Sequence, residues 1–265
     1  MVLEQTQPEV LLVGGTANRG RVVRIGDTVH RPLRPTSPAT HALLRHLDEV
    51  GFAGAPRFLG VDEQGREVLS YVRGTAVTAP YPAWALTAEA LASVARLLRD
   101  YHCAVSSFDP APHAWPAFPP APFAGGLVSH NDVNLDNVVF RDGRAVALID
   151  FDLASPGSRV WDVACAARLW TPLRPDRCID DARRGQVLAR LRLFVDSYGL
   201  TEADRVRLVT AVQQNHEWCY DVMGTAAAHG HAGFSEYLDG GARDRADRVR
   251  TWYVEAAGLL AEALR

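Results

Sequence analysis

Residues 128–152 read VSHNDVNLDNVVFRDGRAVALIDFD, and this stretch decides the fold. His130, Asp132 and Asn137 spell H-x-D-x-x-x-x-N. Val138–Phe140 is a short apolar run of strand character, and Asp142-Gly143 is a two-residue hairpin signal. Ala145–Ile149 is a second apolar run that delivers Asp150 and Asp152 at its far end. A loop and two strands therefore bring two polar clusters to one place. Carboxylate and amide oxygens are the hard donors that magnesium prefers beside water. Phosphoryl transfer onto a hydroxyl needs this set: a carboxylate near the acceptor oxygen, an Asn in the same loop, and an Asp after the next strand. The competing reading is a surface hairpin with solvated acids.

The run resembles the aminoglycoside phosphotransferase family, whose signature is H-x-D-x-x-x-x-N followed by I-D-x-[DE]. Pro156-Gly157 and Trp161-Asp162-Val163-Ala164 extend the resemblance downstream. It covers most of the chain, from the first strand to the last helix. It implies a two-lobed, protein-kinase-like α+β fold, with a small antiparallel-sheet lobe and a larger, mostly helical lobe. It also implies catalysis by Asp132, Mg²⁺ held by Asn137 and Asp150 with Asp152 assisting, and ATP or GTP as phosphoryl donor. His130 and Asp162 are then braces of the catalytic loop rather than chemical groups.

The bulk numbers agree with a globular protein and argue against other classes. The chain has 265 residues, 48% hydrophobic and 22% charged, enough for one large domain or two lobes. A net charge of −3 argues against a nucleic-acid partner, which leaves basic stripes. No apolar run is long enough for a membrane span, and the polar, acidic start MVLEQTQPEV does not read as a signal peptide. Cys103, Cys165, Cys178 and Cys219 form no C-x-x-C pair and read as reduced thiols of a cytoplasmic protein. All 28 long basic side chains are arginine, so a catalytic lysine is impossible.

Toward the N-terminus, Glu9–Gly14, Arg21–Ile25 and Thr28–Arg31 are strand candidates, with Gly14, Gly15 and Gly20 around a polar turn. Backbone amides of such a loop suit phosphate, Gly15 among them; a plain hairpin fits the same pattern. Arg31 stands about where the family carries its phosphate-binding lysine, and is either that group's replacement or a surface cation. Ser37-Pro38 opens a helix, with Ser37 as N-cap and Gly51 as its end. The family's Glu partner for the lysine falls near Thr40 or His41, so both members of that pair differ. Arg57–Val61 and Glu67–Val72 are two more strands; Ser70, Tyr71 and Val72 then resemble the nucleotide hinge, or simply a linker.

The boundary falls at Gly74, giving a nucleotide lobe over 1–74 and a catalytic and acceptor lobe over 75–265. Thr87–Cys103 carries a helical apolar stripe of core character, and the proline-rich 109–122 is loop. Helices follow at Ser158–Leu169, Gln186–Tyr198, after Thr201, and at Arg243–Leu264. Glu217 and Asp221 share a helix face, either to meet an amine of the acceptor or as a solvated face. The expected reaction moves a γ-phosphoryl group to a small-molecule hydroxyl, antibiotics included. Two alternatives are a kinase-shaped binding protein without transfer and a metal-dependent hydrolase using His130. The sequence leaves the oligomeric state open.

Overall fold

The computed structural model describes residues 8–12 and 20–265. Gly15, expected to approach phosphate, lies outside the described residues. The N-terminal region is an antiparallel sheet of β1 (Val10–Leu11), β2 (Val23–Ile25), β3 (Thr28–Pro32), β4 (Phe58–Val61) and β5 (Arg66–Ser70), in the order β1-β2-β3-β5-β4. The β3–β5 register sets Val29 opposite Leu69 and Arg31 opposite Glu67. The period of two therefore turns an Arg and a Glu toward the same interior as their apolar neighbours, and both are buried.

Helix α1 (Ser37–Glu49) covers that face with Leu43, Leu44 and Leu47. Its start differs from expectation. Thr36 occupies the cap position without a side-chain bond, and Ser37 is already helical. The Ser37 hydroxyl instead accepts from the Arg34 amide at 2.9 Å, closing the turn that leads in. Gly51, with φ of 76°, terminates the helix as the sequence implies.

The larger region is mostly helical. Thr87 caps α2 (Ala88–Ala104) by accepting from the Ala90 amide. Leu91, Val94, Ala95, Leu98 and Tyr101 of α2 are fully buried. Around it stand α3 (Arg159–Trp170), α4 (Val187–Tyr198), α5 (Glu202–Ala228), α6 (Ala232–Tyr237) and α7 (Arg243–Ala263). Helix α2 packs on α4, α3 on α5, and α7 on both α4 and α5. Among the described residues no helix is long and apolar enough to cross a membrane.

Two small sheets carry the site. One joins β6 (Thr75–Ala76), β8 (Val138–Arg141) and β9 (Arg144–Leu148) in the order β6-β8-β9; the other pairs β7 (Leu127–Ser129) with β10 (Ser155–Gly157). Asp142 and Gly143 both adopt positive φ, 51° and 72°, as a two-residue type I′ turn requires. Between the regions, Gly74 has φ of 150°, and a Cβ there would stand 2.5 Å from the Phe140 carbonyl oxygen. Only glycine fits so close to β8. Gly74→Ala is expected to cost roughly 2 kcal/mol of stability through backbone strain and displacement of β8, read as an earlier urea midpoint with unchanged slope.

Candidate active site

The loop between β7 and β8 is fixed by one carboxylate. Asp162, in the first turn of α3, has no solvent exposure and accepts from the amides of His130 at 2.7 Å and Asn131 at 2.9 Å. His102 of α2 adds a third bond from Nε2 at 2.9 Å, and its Nδ1 lies 2.7 Å from the Tyr198 hydroxyl. Burial works against the charge, but the His102 bond and charge and the loop amide outweigh it and hold Asp162 below the usual carboxylate range.

Asn131 takes φ of 64°, a left-handed conformation that Asn tolerates better than most residues. Its side chain donates to Leu153 O and Ser155 Oγ and accepts from Trp161 Nε1. Its carbonyl accepts from the Cys165 thiol. His130 is buried; its Nε2 donates to Ile149 O and its Nδ1 accepts from the Asp132 amide, which fixes the neutral tautomer. Burial is the main force pushing the His130 pKa down, away from protonation.

Asp132 sits at the tip of this loop. Asn134 donates to its Oδ1 at 2.7 Å, and Asn137 Nδ2 donates to its Oδ2 and its carbonyl, each at 2.9 Å. Burial, then Asp150, then Asp136 push the Asp132 carboxyl up to about 8. Its affinity for a proton is therefore well above that of an ordinary carboxylate. Asn134 was not among the residues anticipated, although it lies two positions beyond Asp132 within the motif.

Asp150 follows β9 in the left-handed conformation, φ 62° and ψ 67°. Its Oδ1 accepts from Arg31 Nη1 at 2.9 Å. Arg31 Nη2 meets Asp152 Oδ1 at 2.8 Å, and Nε stands 2.8 Å from Glu67 Oε1 as a charge contact rather than an aligned hydrogen bond. One guanidinium therefore spans three carboxylates. Burial would lower its pKa, and Asp152, Asp150 and Glu67 together reverse this and raise it. Glu67 Oε2 also meets His41 Nε2 of α1 at 2.8 Å, and the His41 ring stacks on Phe58 at 3.7 Å.

Asp152, expected to assist at the metal, has Arg31 on one of its oxygens and Arg34 Nε on the other, at 2.8 Å each. Its carboxylate anchors arginines. The anion beside Arg31 is Glu67 of β5, and His41 of α1, standing near the family's Glu position, meets the other oxygen of the same carboxylate. Glu67 was missed; the signal was an acid alternating with Leu69 on the inward side of a strand.

Ser70 ends β5, and the Tyr71 amide donates to Asp27 O at 2.8 Å while Arg24 lies over the Tyr71 ring at 3.8 Å. Of the three anticipated hinge residues, Ser70, whose amide donates to Arg57 O at 2.9 Å, and Tyr71 thus have their amides already engaged. Glu217 is gripped by Arg250 of α7 through two bonds of 2.8 and 2.7 Å on the surface, and Asp221 is exposed. The structure does not gather either with Asp132.

A model of the phosphotransferase enzyme family (APH) matches residues 108–194, which span the loop, both hairpin strands and α3. The trifolitoxin immunity protein of Rhizobium leguminosarum bv. trifolii is 36% identical over 205 residues, 74% of this chain and 76% of that protein. The chain belongs to the phosphotransferase enzyme family. Solved structures share the fold of this family member. A choline/ethanolamine kinase family protein from Mesorhizobium loti aligns with a TM-score of 0.66 at 17% identity, covering 99% of this chain and 94% of that one. The streptomycin–ATP–APH(2")-IIa complex gives 0.57 at 16%, covering 88% and 92%. The macrolide 2'-phosphotransferase MphH of Brachybacterium faecium gives 0.52 at 14%, covering 82% and 85%.

Glu67→Gln is expected to destabilise the protein by about 3 kcal/mol, because Arg31 and His41 lose a buried charged partner; chemical denaturation measures it. Asp162→Asn is expected to cost a similar amount near neutral pH. A carboxyl held below its unfolded value stabilises above roughly pH 4 and loses that contribution as pH falls through its folded value. The gap between wild type and Asp162→Asn is therefore expected to narrow below pH 4, and a gap constant with pH contradicts the assignment.

Proposed function

We propose that the protein transfers the γ-phosphoryl group of ATP or GTP to a hydroxyl of a small molecule. The acceptor oxygen bonds to the γ-phosphorus, the bond from that phosphorus to the bridging oxygen breaks, and the nucleoside diphosphate leaves. The hydroxyl proton passes to Asp132. The observation that carries this reading is the Asp132 carboxylate, fixed by Asn134 and Asn137 and raised in proton affinity, at the junction of the β7–β8 loop with Asp150. The donor assignment is supported by the ATP and GDP complexes among the structural relatives.

The residues present fit Mg²⁺. Asn137 commits its amide nitrogen to Asp132, which leaves Oδ1 as the available atom. Asp150 uses Oδ1 on Arg31, and among the described residues Oδ2 has no partner. One amide and one carboxylate oxygen, completed by water and phosphate, make an ordinary magnesium site, although no group of three or more His, Cys, Asp or Glu is gathered as a cage among the described residues. The ion would neutralise charge on the phosphates. Asn137 and Asp150 would hold it, while Asp132 orients the acceptor and Arg31 steadies the donor side.

One observation favours a second reading. Arg31 is fully engaged with three carboxylates, so a kinase-shaped protein that binds without transfer is the alternative. Asp132→Asn decides between them. Under the transfer reading it lowers turnover by roughly 10³-fold, the scale of a lost general base, while calorimetry shows nucleotide binding nearly unchanged. Magnesium-dependent ATP or GTP binding with no product from any acceptor supports the silent binder. Failure of either nucleotide to bind with or without Mg²⁺ removes the kinase reading.

A further inference from the structure

Helix α3 presents a cation beside the catalytic loop. Cys165 touches the Asn131 carbonyl, and Arg168, one turn later, lies on the same side of the helix. Arg168 Nε donates to Asn215 Oδ1 at 3.1 Å and Nη2 to Cys219 Sγ at 3.0 Å, both on α5. No carboxylate pairs with it among the described residues. Its charge favours the ionised form of Asp132 and of Tyr253, and opposes protonation of His216. Arg168 thus stands between α3 and α5 with two neutral side chains as its bonding partners.

Unused donors stand next to it. Asn215 is fully buried, its oxygen is claimed by Arg168, and its Nδ2 has no partner. Tyr253 is 2% exposed, and its hydroxyl has no partner either. Arg168 Nη1 is a third donor without an acceptor among the described residues. His216, whose ring lies 5.6 Å from that of Tyr253, spends Nε2 on Ala246 O. Burying donors without acceptors costs free energy, on the order of 1–3 kcal/mol each. Arg168, Cys219 and Tyr220 are only half-buried, so this end of the cluster reaches solvent.

We propose that this cluster is the specificity element of the acceptor site: Arg168, Asn215 Nδ2 and the Tyr253 hydroxyl receive an oxyanion of the acceptor, a carboxylate or a phosphate, whose hydroxyl then lies at Asp132. The proposal rests on Asp132 as the reaction centre. Three donors, one of them cationic, suit an anion, and a charge-assisted bond is about twice as strong as a neutral one. The same charge repels a polycationic acceptor, and Glu217, the acid placed to meet an amine on sequence grounds, is spent on Arg250. The class indicated is a hydroxylated acid.

The test reads anion binding without turnover. Side-chain ¹⁵N signals of Arg168 and Asn215 are followed while inorganic phosphate, and separately gluconate, is titrated into the full chain without nucleotide. Saturable shifts are expected in the wild type. The Asn215 shift is expected to be lost in Arg168→Gln, and both shifts to be weakened severalfold in Tyr253→Phe and retained in Asp132→Asn. Stronger binding of gluconate identifies a carboxylate acceptor, and stronger binding of phosphate a phosphorylated one. No saturable shift up to tens of millimolar, or equal shifts in Arg168→Gln, overturns the proposal. Because Asp132→Asn keeps the binding, failure of the transfer reading leaves a distinct result: anion binding without product. In the active enzyme, gluconate is expected to exceed its neutral amide at least tenfold in kcat/KM. Faster turnover of kanamycin than of either reverses the proposed specificity.

Discussion

A single guanidinium joins the two regions of the molecule. Arg31 leaves β3, meets Glu67 on the neighbouring strand, and reaches across to Asp150 and Asp152 beyond β9. With 7% of its side chain exposed, it sits where charge pairing is strong and water offers little alternative. Three carboxylates for one cation is a surplus of negative charge. Arg34 on Asp152 offsets part of it, and His41 on Glu67 supplies a bond on the far side. The position is filled by an arginine in a chain without lysine, and the planar fork alters what a cation here can hold. An ammonium is a point charge, whereas this side chain addresses three directions at once.

The catalytic loop has a separate support. Asp162 binds two consecutive loop amides, and His102 and Tyr198 tie it to α2 and α4. Asn131 adds four further bonds at the one residue of the loop whose backbone is left-handed. Positioning by such a shell is how transfer enzymes obtain most of their acceleration. The loop's precision thus comes from buried partners that touch no reacting atom.

What was legible in the sequence was local. The Asp142-Gly143 turn, the strands around it and the H-x-D-x-x-x-x-N loop all lie within two dozen residues, where spacing dictates geometry. The helix beginning after Thr201, and Gly51 as a helix end, were readable for the same reason. What escaped depended on register. Glu67 acquires its role only when β5 lies beside β3, and Asp152 meets its arginines only when Arg31 of β3 and Arg34 beyond it arrive from a distant part of the chain. Ser37 looked like a cap because cap residues are common one step before proline; the preceding turn used its hydroxyl instead. Arg168 and Asn215 meet only when two helices cross, and nothing in either helix alone marks that crossing.

The Arg31 clasp also bears on how the cleft opens. Separating the two regions breaks the pairs with Asp150 and Asp152 together, and bulk salt screens buried pairs only weakly. Opening is then governed by competitors rather than by ionic strength. A divalent ion offers the aspartates a substitute for Arg31, and a polyanion offers Arg31 a substitute for the aspartates. The pair that a kinase brings to its cleft, metal and polyphosphate, is chemically the pair able to release this latch from both sides.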